Sequence, residues 1–233
     1  MKELTTALLR NRHSFHPVVP FDPQEDTLVK LDFSIDNKAL DNTMFSRLDL
    51  FSQYVDERLK EHHARYGIGG YGEHRGVYSM SRVFDAEHEG DEPRRFHLGL
   101  DIWGEAGTPV SAPLGGMVHS LAHNDRPGDY GATIVLLHQM DGIPFYSLYG
   151  HLSLQDLVLS EGTYINRGQP FAQFGSPEEN GHWPPHLHLQ VIIDMEMRKG
   201  DYPGVCRFSE REKYLANCPD PDLLVNLNQF VLY

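Results

Sequence analysis

The spacing of apolar residues changes period along the chain. Residues 28–35, LVKLDFSI, alternate, so that Val29, Leu31, Phe33 and Ile35 share one side, which predicts a half-buried strand. Over 43–66 the period becomes helical. Phe45, Leu48, Phe51, Val55 and Leu59 fall three or four residues apart and form one apolar stripe. Asp41, Asn42 or Thr43 can cap the start of this helix, Lys60 and Arg65 suit the negative end of its dipole, and Gly67 can close it. From about 82 to 195 the helical period is lost. Short apolar runs at 97–102, 108–112, 116–123, 131–138, 144–150, 164–174 and 186–193 are separated by Gly and Pro, which predicts a mainly β fold of the antiparallel sandwich or barrel kind. Beyond it, Pro-rich turns surround a helix over about 209–217. The chain thus divides into a small α+β N-terminal segment (1–80), a β domain (81–195) and a short C-terminal extension (196–233). It contains no internal repeat and no low-complexity stretch.

Length and charge narrow the function. A chain of 233 residues is long enough for one good core. Its net charge of −13 repels phosphate polymers and anionic surfaces, which argues against nucleic-acid and membrane partners. No apolar stretch approaches the roughly 20 residues of a membrane span. The opening MKELTTALLRNRHSFHPVV lacks the continuous apolar core of a signal peptide, so a cytoplasmic location is expected, or an extracytoplasmic one if a leader precedes it. Cys206 and Cys218 are too few for a disulfide scaffold or a thiolate zinc site and read as free structural thiols. The glycine-rich stretch GIGGYGEHRG (67–76) lacks the Lys-Ser/Thr and the strand-to-helix setting of a phosphate loop. Histidine is the unusual count, at 14.

Those histidines are not scattered evenly. In HLHLQV (186–191), strand alternation puts His186, His188 and Gln190 on one face and Leu187, Leu189 and Val191 on the other. In HLGLDI (97–102), His97, Gly99 and Asp101 share a face while Leu98, Leu100 and Ile102 take the opposite one. A third run, FYSLYGHLS (145–153), puts Tyr149 and His151 in register at its end. Imidazole and carboxylate groups are therefore expected to converge on one open sheet face. Three such ligands with a position left for water is the pattern of a catalytic zinc site, and further histidines beside it suit proton transfer. Among 14 histidines either short motif alone carries little weight; the joint pattern carries the reading. His13, His16, His62, His63, His74 and His88 read as solvated, and His119, His123 and His138 as ordinary strand-surface residues. Trp183 reads equally as a groove wall or as a packed aromatic.

HLGLD, YGHLS and HLHLQ, in this order, resemble the motifs of the lysostaphin/LytM-type zinc metallopeptidases, antiparallel β folds that cleave peptide cross-links of bacterial cell walls. The segments AGTPVSAPLGGMV (106–118) and GQPFAQFG (168–175) also look like that family's, and the resemblance covers roughly residues 90–195. It implies His97, Asp101 and His188 as Zn2+ ligands and His151 and His186 as catalytic residues. The implied activity is that of a zinc metalloendopeptidase acting on a peptide or peptidoglycan fragment. Zinc-activated water would attack the carbonyl, His186 would take the proton, and His151 would help hold the oxyanion. The chain departs from the family pattern in its acidity, in an opening that does not read as a leader and in the bulky NGHWPP before the last histidine pair. The tail PGVCRFSEREKYLANCPDPDLL more distantly resembles the segment after a peptidase-like domain in some intracellular aminotransferase fusions. Two other readings remain: a metal-loaded but catalytically idle regulatory or binding module, and a zinc hydrolase of a non-peptide amide.

Overall fold

Thirteen short strands carry the architecture of the computed structural model, which describes residues 1–40, 44, 47–86, 88 and 90–232. In chain order they begin with β1 (Leu28–Lys30), β2 (Tyr66–Gly69), β3 (Arg94–His97), β4 (Leu100–Trp103), β5 (Pro109–Ser111) and β6 (Gly116–Asn124). They continue with β7 (Gly131–Met140), β8 (Ile143–Leu152), β9 (Tyr164–Ile165), β10 (Pro170–Gln173), β11 (His186–Ile192), β12 (Val205–Arg207) and β13 (Val231–Leu232). Nine of these form one sheet in the order β13-β1-β2-β4-β11-β8-β7-β6-β9; β10–β5 and β12–β3 are separate ribbons. The fold is mainly β, as the spacing predicts. Between residues 81 and 195 all the pairs are antiparallel. The parallel pairs, β1 with β2 and with β13, come from the two ends of the chain and make the sheet mixed.

Both faces of this sheet are covered. Along β7, Ile134 and Leu136 pack into a core with Leu100, Ile102, Tyr149, Leu187 and Leu189, whereas Val135 packs with Leu98, Leu148 and Ile192 on the other side. This two-sided burial explains why β7 reads as an unbroken apolar run. Leu98 and Leu100 thus enter different clusters, because the predicted strand 97–102 breaks into β3 and β4. The predicted strand 164–174 likewise divides into β9 and β10.

The helices are α1 (Lys2–Asn11), α2 (Leu48–Glu61), α3 (Arg211–Asn217) and α4 (Asp222–Val225). Helix α1 escaped the sequence reading, yet its Leu4, Ala7 and Leu8 form a buried stripe against Phe145, Val191 and Leu224. In α2, Phe51 and Val55 are buried as the stripe requires, each contributing about 1.5–3 kcal/mol of apolar burial. Phe45 and the candidate caps Asp41, Asn42 and Thr43 lie outside the described residues. The helix ends at Glu61 rather than 66, because His63 turns left-handed at φ 48°. Gly67 belongs to β2, where a Cβ would strike Leu31 Cδ1 at 2.3 Å. Val29, Leu31 and Phe33 are buried together, but Ile35 is exposed. The C-terminal helix falls where it is expected. No helix among the described residues is long and apolar enough to cross a membrane.

Candidate metal centre

The histidines of the two motif strands meet where β4 and β11 lie side by side. Register pairs His188 with Asp101 and His186 with Trp103. His97, at the end of β3, reaches the same point from the β3–β12 ribbon, three residues before the main sheet resumes at β4. Gly99 lies between, and a Cβ there would sit 2.3 Å from His188 Cε1, so only glycine leaves room for that ring.

Three ligand-capable atoms converge at this point. His97 Nε2 lies 2.9 Å from His188 Nδ1, His188 Nδ1 lies 3.1 Å from Asp101 Oδ1, and His97 Nε2 lies 3.4 Å from the same oxygen. Ligand atoms about 2.0–2.2 Å from a tetrahedral zinc stand roughly 3.3 Å apart, so the triangle has the right size for a metal.

The partners behind these groups set their protonation. His97 Nδ1 is 2.8 Å from the Gly70 carbonyl, which can only accept, so Nδ1 carries the hydrogen and Nε2 is bare. On the far side of His188, Nε2 is 3.1 Å from Gln190 Oε1. The Gln190 amide is oriented by its own donation to the Pro203 carbonyl at 3.1 Å, which turns its oxygen toward His188. His188 Nε2 therefore donates and Nδ1 is bare. Two unprotonated imidazole nitrogens and a carboxylate oxygen thus face one another at hydrogen-bond distance with no hydrogen between the nitrogens. Lone pairs so placed repel, and a cation among them removes the conflict. The group fits a metal ion.

Two more imidazoles stand beside the triangle. His186 Nδ1 donates to the Pro184 carbonyl at 2.8 Å and His151 Nδ1 donates to the Asn180 carbonyl at 2.7 Å, which leaves both Nε2 atoms as acceptors. The two rings lie 4.1 Å apart between centroids, and Trp103 stacks on His186 at 3.9 Å. Asn180, wholly buried, organises the loop beneath by accepting from Trp183 N and donating to the Gly175 and Trp183 carbonyls.

The route by which His151 arrives differs from the expected one. Pairing with β11 sets Tyr149 opposite Leu189, and Tyr149 buries in the apolar core. Simple alternation would send His151 to that side too. Instead its backbone is left-handed at φ 62°, which swings the ring over to His186 and His188. Tyr149 is thus no part of the centre.

The expected open sheet face is also closed. His97 and Asp101 are 1% exposed, His188 2%, His186 3% and His151 6%. They form the floor of a cavity of about 180 Å³ whose walls include Phe33, Phe51, Tyr78 and Trp183. Trp183 is therefore both wall and packed aromatic. Burial drives His97, His151 and His186 toward neutrality. It pushes His151 down to about 3, helped by His188, and holds His97 and His186 well below the ordinary range, helped by Arg75 and His151 respectively. Burial alone would raise Asp101, but His97 and the Arg75 guanidinium outweigh it and hold the carboxyl far below its usual value.

Arg75 is the residue that sequence reasoning missed. It sits in the stretch 67–76, where spacing shows only a glycine-rich turn. Its Nη1 binds Asp101 Oδ2 at 2.5 Å and its Nε binds Glu73 at 2.6 Å, so Asp101 is left with Oδ1 turned to the histidines. The same stretch supplies the Gly70 carbonyl. No sequence signal announces either contact.

Residues 95–199 match the model of peptidase family M23. Among solved structures, the catalytic domain of lysostaphin from Staphylococcus simulans matches with 20% identity over 75% of this chain and 97% of its own, at a TM-score of 0.43. A zinc-containing peptidase from Vibrio cholerae matches with 24% identity over 46% of this chain and 30% of its own, at a TM-score of 0.35. Csd3 from Helicobacter pylori matches with 22% identity over 52% of this chain and 32% of its own, at 0.34. This chain spans well under two thirds of the last two. A search of curated proteins finds no match.

Proposed function

From a peptidase family M23 domain at residues 95–199, we propose that this protein is a zinc-dependent peptidase that hydrolyses short peptides of the peptidoglycan cross-link type. Its ligands are His97, Asp101 and His188, and its proton-handling residues are His151 and His186. The observation that carries the reading is the triangle of two bare nitrogens and one carboxylate oxygen, each backed by a fixed partner. We assign the chemistry to the β domain 81–195, with the flanking segments 1–80 and 196–233 completing its sheet.

A bound zinc ion would supply a water acidified to a pKa of about 7 and polarisation of the scissile carbonyl. The chain's own residues do the rest. His186 Nε2 is a free acceptor held by Pro184 and Trp103, suited to take the proton of the attacking water. His151 is also an acceptor when neutral, so it can hold a developing oxyanion only after it has taken a proton at Nε2. Two rings this close do not both charge readily, so one proton serves the pair and passes to the leaving amine. Arg75 holds the outer oxygen of Asp101 and keeps the carboxylate ionised.

Elemental analysis of metal-reconstituted protein tests the centre, and one zinc per chain is the expected result. Protein that takes up no divalent metal on titration overturns it. Peptidoglycan fragments and glycyl peptides incubated with the zinc-loaded chain and read by mass spectrometry test the activity. An intact panel at full zinc occupancy would favour the idle-module reading.

A further inference from the structure

The family match begins at residue 95, yet part of what touches the metal centre comes from before it. The stretch 72–75 runs beside β3. Gly72 N donates to the His97 carbonyl at 3.0 Å, His97 N to the Glu73 carbonyl at 2.9 Å and Arg75 N to the Arg95 carbonyl at 2.8 Å. Strand-like alternation then sends Glu73 and Arg75 to one side and His74 to the other, where it stacks on Phe208. A Cβ on Gly70 would overlap the Arg75 guanidinium, so the preceding turn is shaped around that side chain.

Arg75 is 2% exposed, and a buried guanidinium is costly unless carboxylates match it. Its Nε donates to Glu73 Oε2 at 2.6 Å and its Nη1 to Asp101 Oδ2 at 2.5 Å. Glu73 is itself held at its other oxygen, which accepts from Phe33 N at 3.2 Å. A chain of contacts from Phe33 through Glu73 and Arg75 therefore ends on Asp101. Glu73 alone balances the charge of Arg75, so neutrality does not require the second carboxylate. What the second contact does is occupy Oδ2. Only Oδ1 is left for the metal, 3.1 Å from His188 Nδ1 and 3.4 Å from His97 Nε2.

A carboxylate can give a cation one oxygen or both. Using both raises the coordination number, which suits cations such as manganese that favour six oxygen-rich ligands. Zinc is satisfied by four ligands, one of them water in an open site. Resting on the metal reading above, we propose that Arg75, oriented by Glu73, is a positioning residue that confines Asp101 to ligation through one oxygen and so makes the centre select zinc over manganese. Both residues lie outside the family match at 95–199, so the N-terminal segment contributes this control.

Metal binding, and not turnover, decides the matter. Metal-free full-length protein is titrated with Zn2+ and with Mn2+ in competition with a chelator, which gives the two affinities separately. The double variant Arg75→Met with Glu73→Gln removes the buried charges as a pair, so neither is left alone, and it frees Asp101 Oδ2. Its zinc-over-manganese ratio is expected to fall about tenfold or more, the size of a lost supporting partner. Cobalt gives a second readout, because its visible bands are strong in a four-coordinate site and faint in a six-coordinate one. Strong bands are expected from the wild type and weaker ones from the double variant. Glu73→Gln keeps the Arg75–Asp101 pair but offers one acceptor oxygen where Glu73 uses two, so Arg75 is less firmly held. Its ratio should fall in the same direction by a smaller step, and it carries the test alone if circular dichroism shows the double variant unfolded. A purely structural ion pair would weaken both metals alike. An unchanged ratio with an unchanged cobalt spectrum therefore overturns the inference and leaves the metal reading standing. Wild-type protein that takes up no metal at all overturns the metal reading, and this inference with it.

Discussion

His188 is held at both nitrogens, one by Gln190 and one by the shared point with His97 and Asp101. His186, two residues away, is held at one nitrogen only and leaves the other free. The two should therefore fail differently. His188→Ala is expected to lose zinc and activity together. His186→Ala should retain one zinc per chain and lose about 100-fold or more in turnover, the usual worth of a proton-transfer group. Loss of zinc from His186→Ala would exchange the roles. Gly99 gives a subtler test. An added Cβ 2.3 Å from His188 Cε1 must move that ring, and the backbone of Gly99 leaves no other direction. Gly99→Ala should bind zinc about 10–100-fold more weakly, comparable to the loss of a supporting partner, as a competition titration with a chelator would show.

At the scale of elements, what is legible in the chain depends on the range of the contact. Asp101, His186 and His188 could be grouped because strand alternation is local and β4 and β11 are neighbours, whereas His97 reaches the same point from β3, across a break in the strand that alternation does not foresee. Asp101 and Arg75 are 26 residues apart and meet only when the 67–76 stretch folds against the sheet; no period encodes that. His151 was legible as a residue, but its left-handed backbone was not. His138 shows the same limit. It reads as a strand-surface residue, yet it is 2% exposed, with Nδ1 on the Gly115 carbonyl at 3.0 Å and Nε2 on Ser147 Oγ at 2.6 Å. Burial lowers it to about 4 from an ordinary 6.5. Between these values the unfolded chain holds a proton that the folded chain does not, so stability is full above pH 6.5 and falls as pH drops through 4. The effect is about 3 kcal/mol by pH 4. His138→Gln can keep both hydrogen bonds without titrating. Urea unfolding should therefore show the gap between wild type and this variant shift by about 3 kcal/mol in the variant's favour from pH 7 to pH 4. A gap independent of pH would mean that His138 charges in the folded state.

For the whole molecule, the central question is whether residues 1–80 merely cover the metal centre or are needed to build it. The cover is real: Phe33, Phe51 and Tyr78 wall the cavity. Yet the same segment supplies β1 and β2, and β2 pairs with β4, the strand that carries Asp101. Removing it bares the edge of β4, strips Leu31, Phe33, Phe51, Tyr66 and Ile68 from the cores, and takes away both the Gly70 carbonyl and Arg75. At about 1.5–3 kcal/mol for each large apolar side chain, the loss is comparable to the whole stability of a typical domain, about 5–15 kcal/mol. An exposed edge strand also invites aggregation. A chain beginning at residue 81 is therefore expected to be insoluble or unfolded by circular dichroism, with no stoichiometric zinc. A soluble, folded truncation with one zinc per chain and higher peptidase activity would reverse this conclusion, because β4 and its Asp101 would then stand without β2 and the segment would act as a removable cover. The pairing of β2 with β4 argues for the first outcome: a lid can leave a site intact, but a strand inside the sheet cannot leave without exposing the strand beside it.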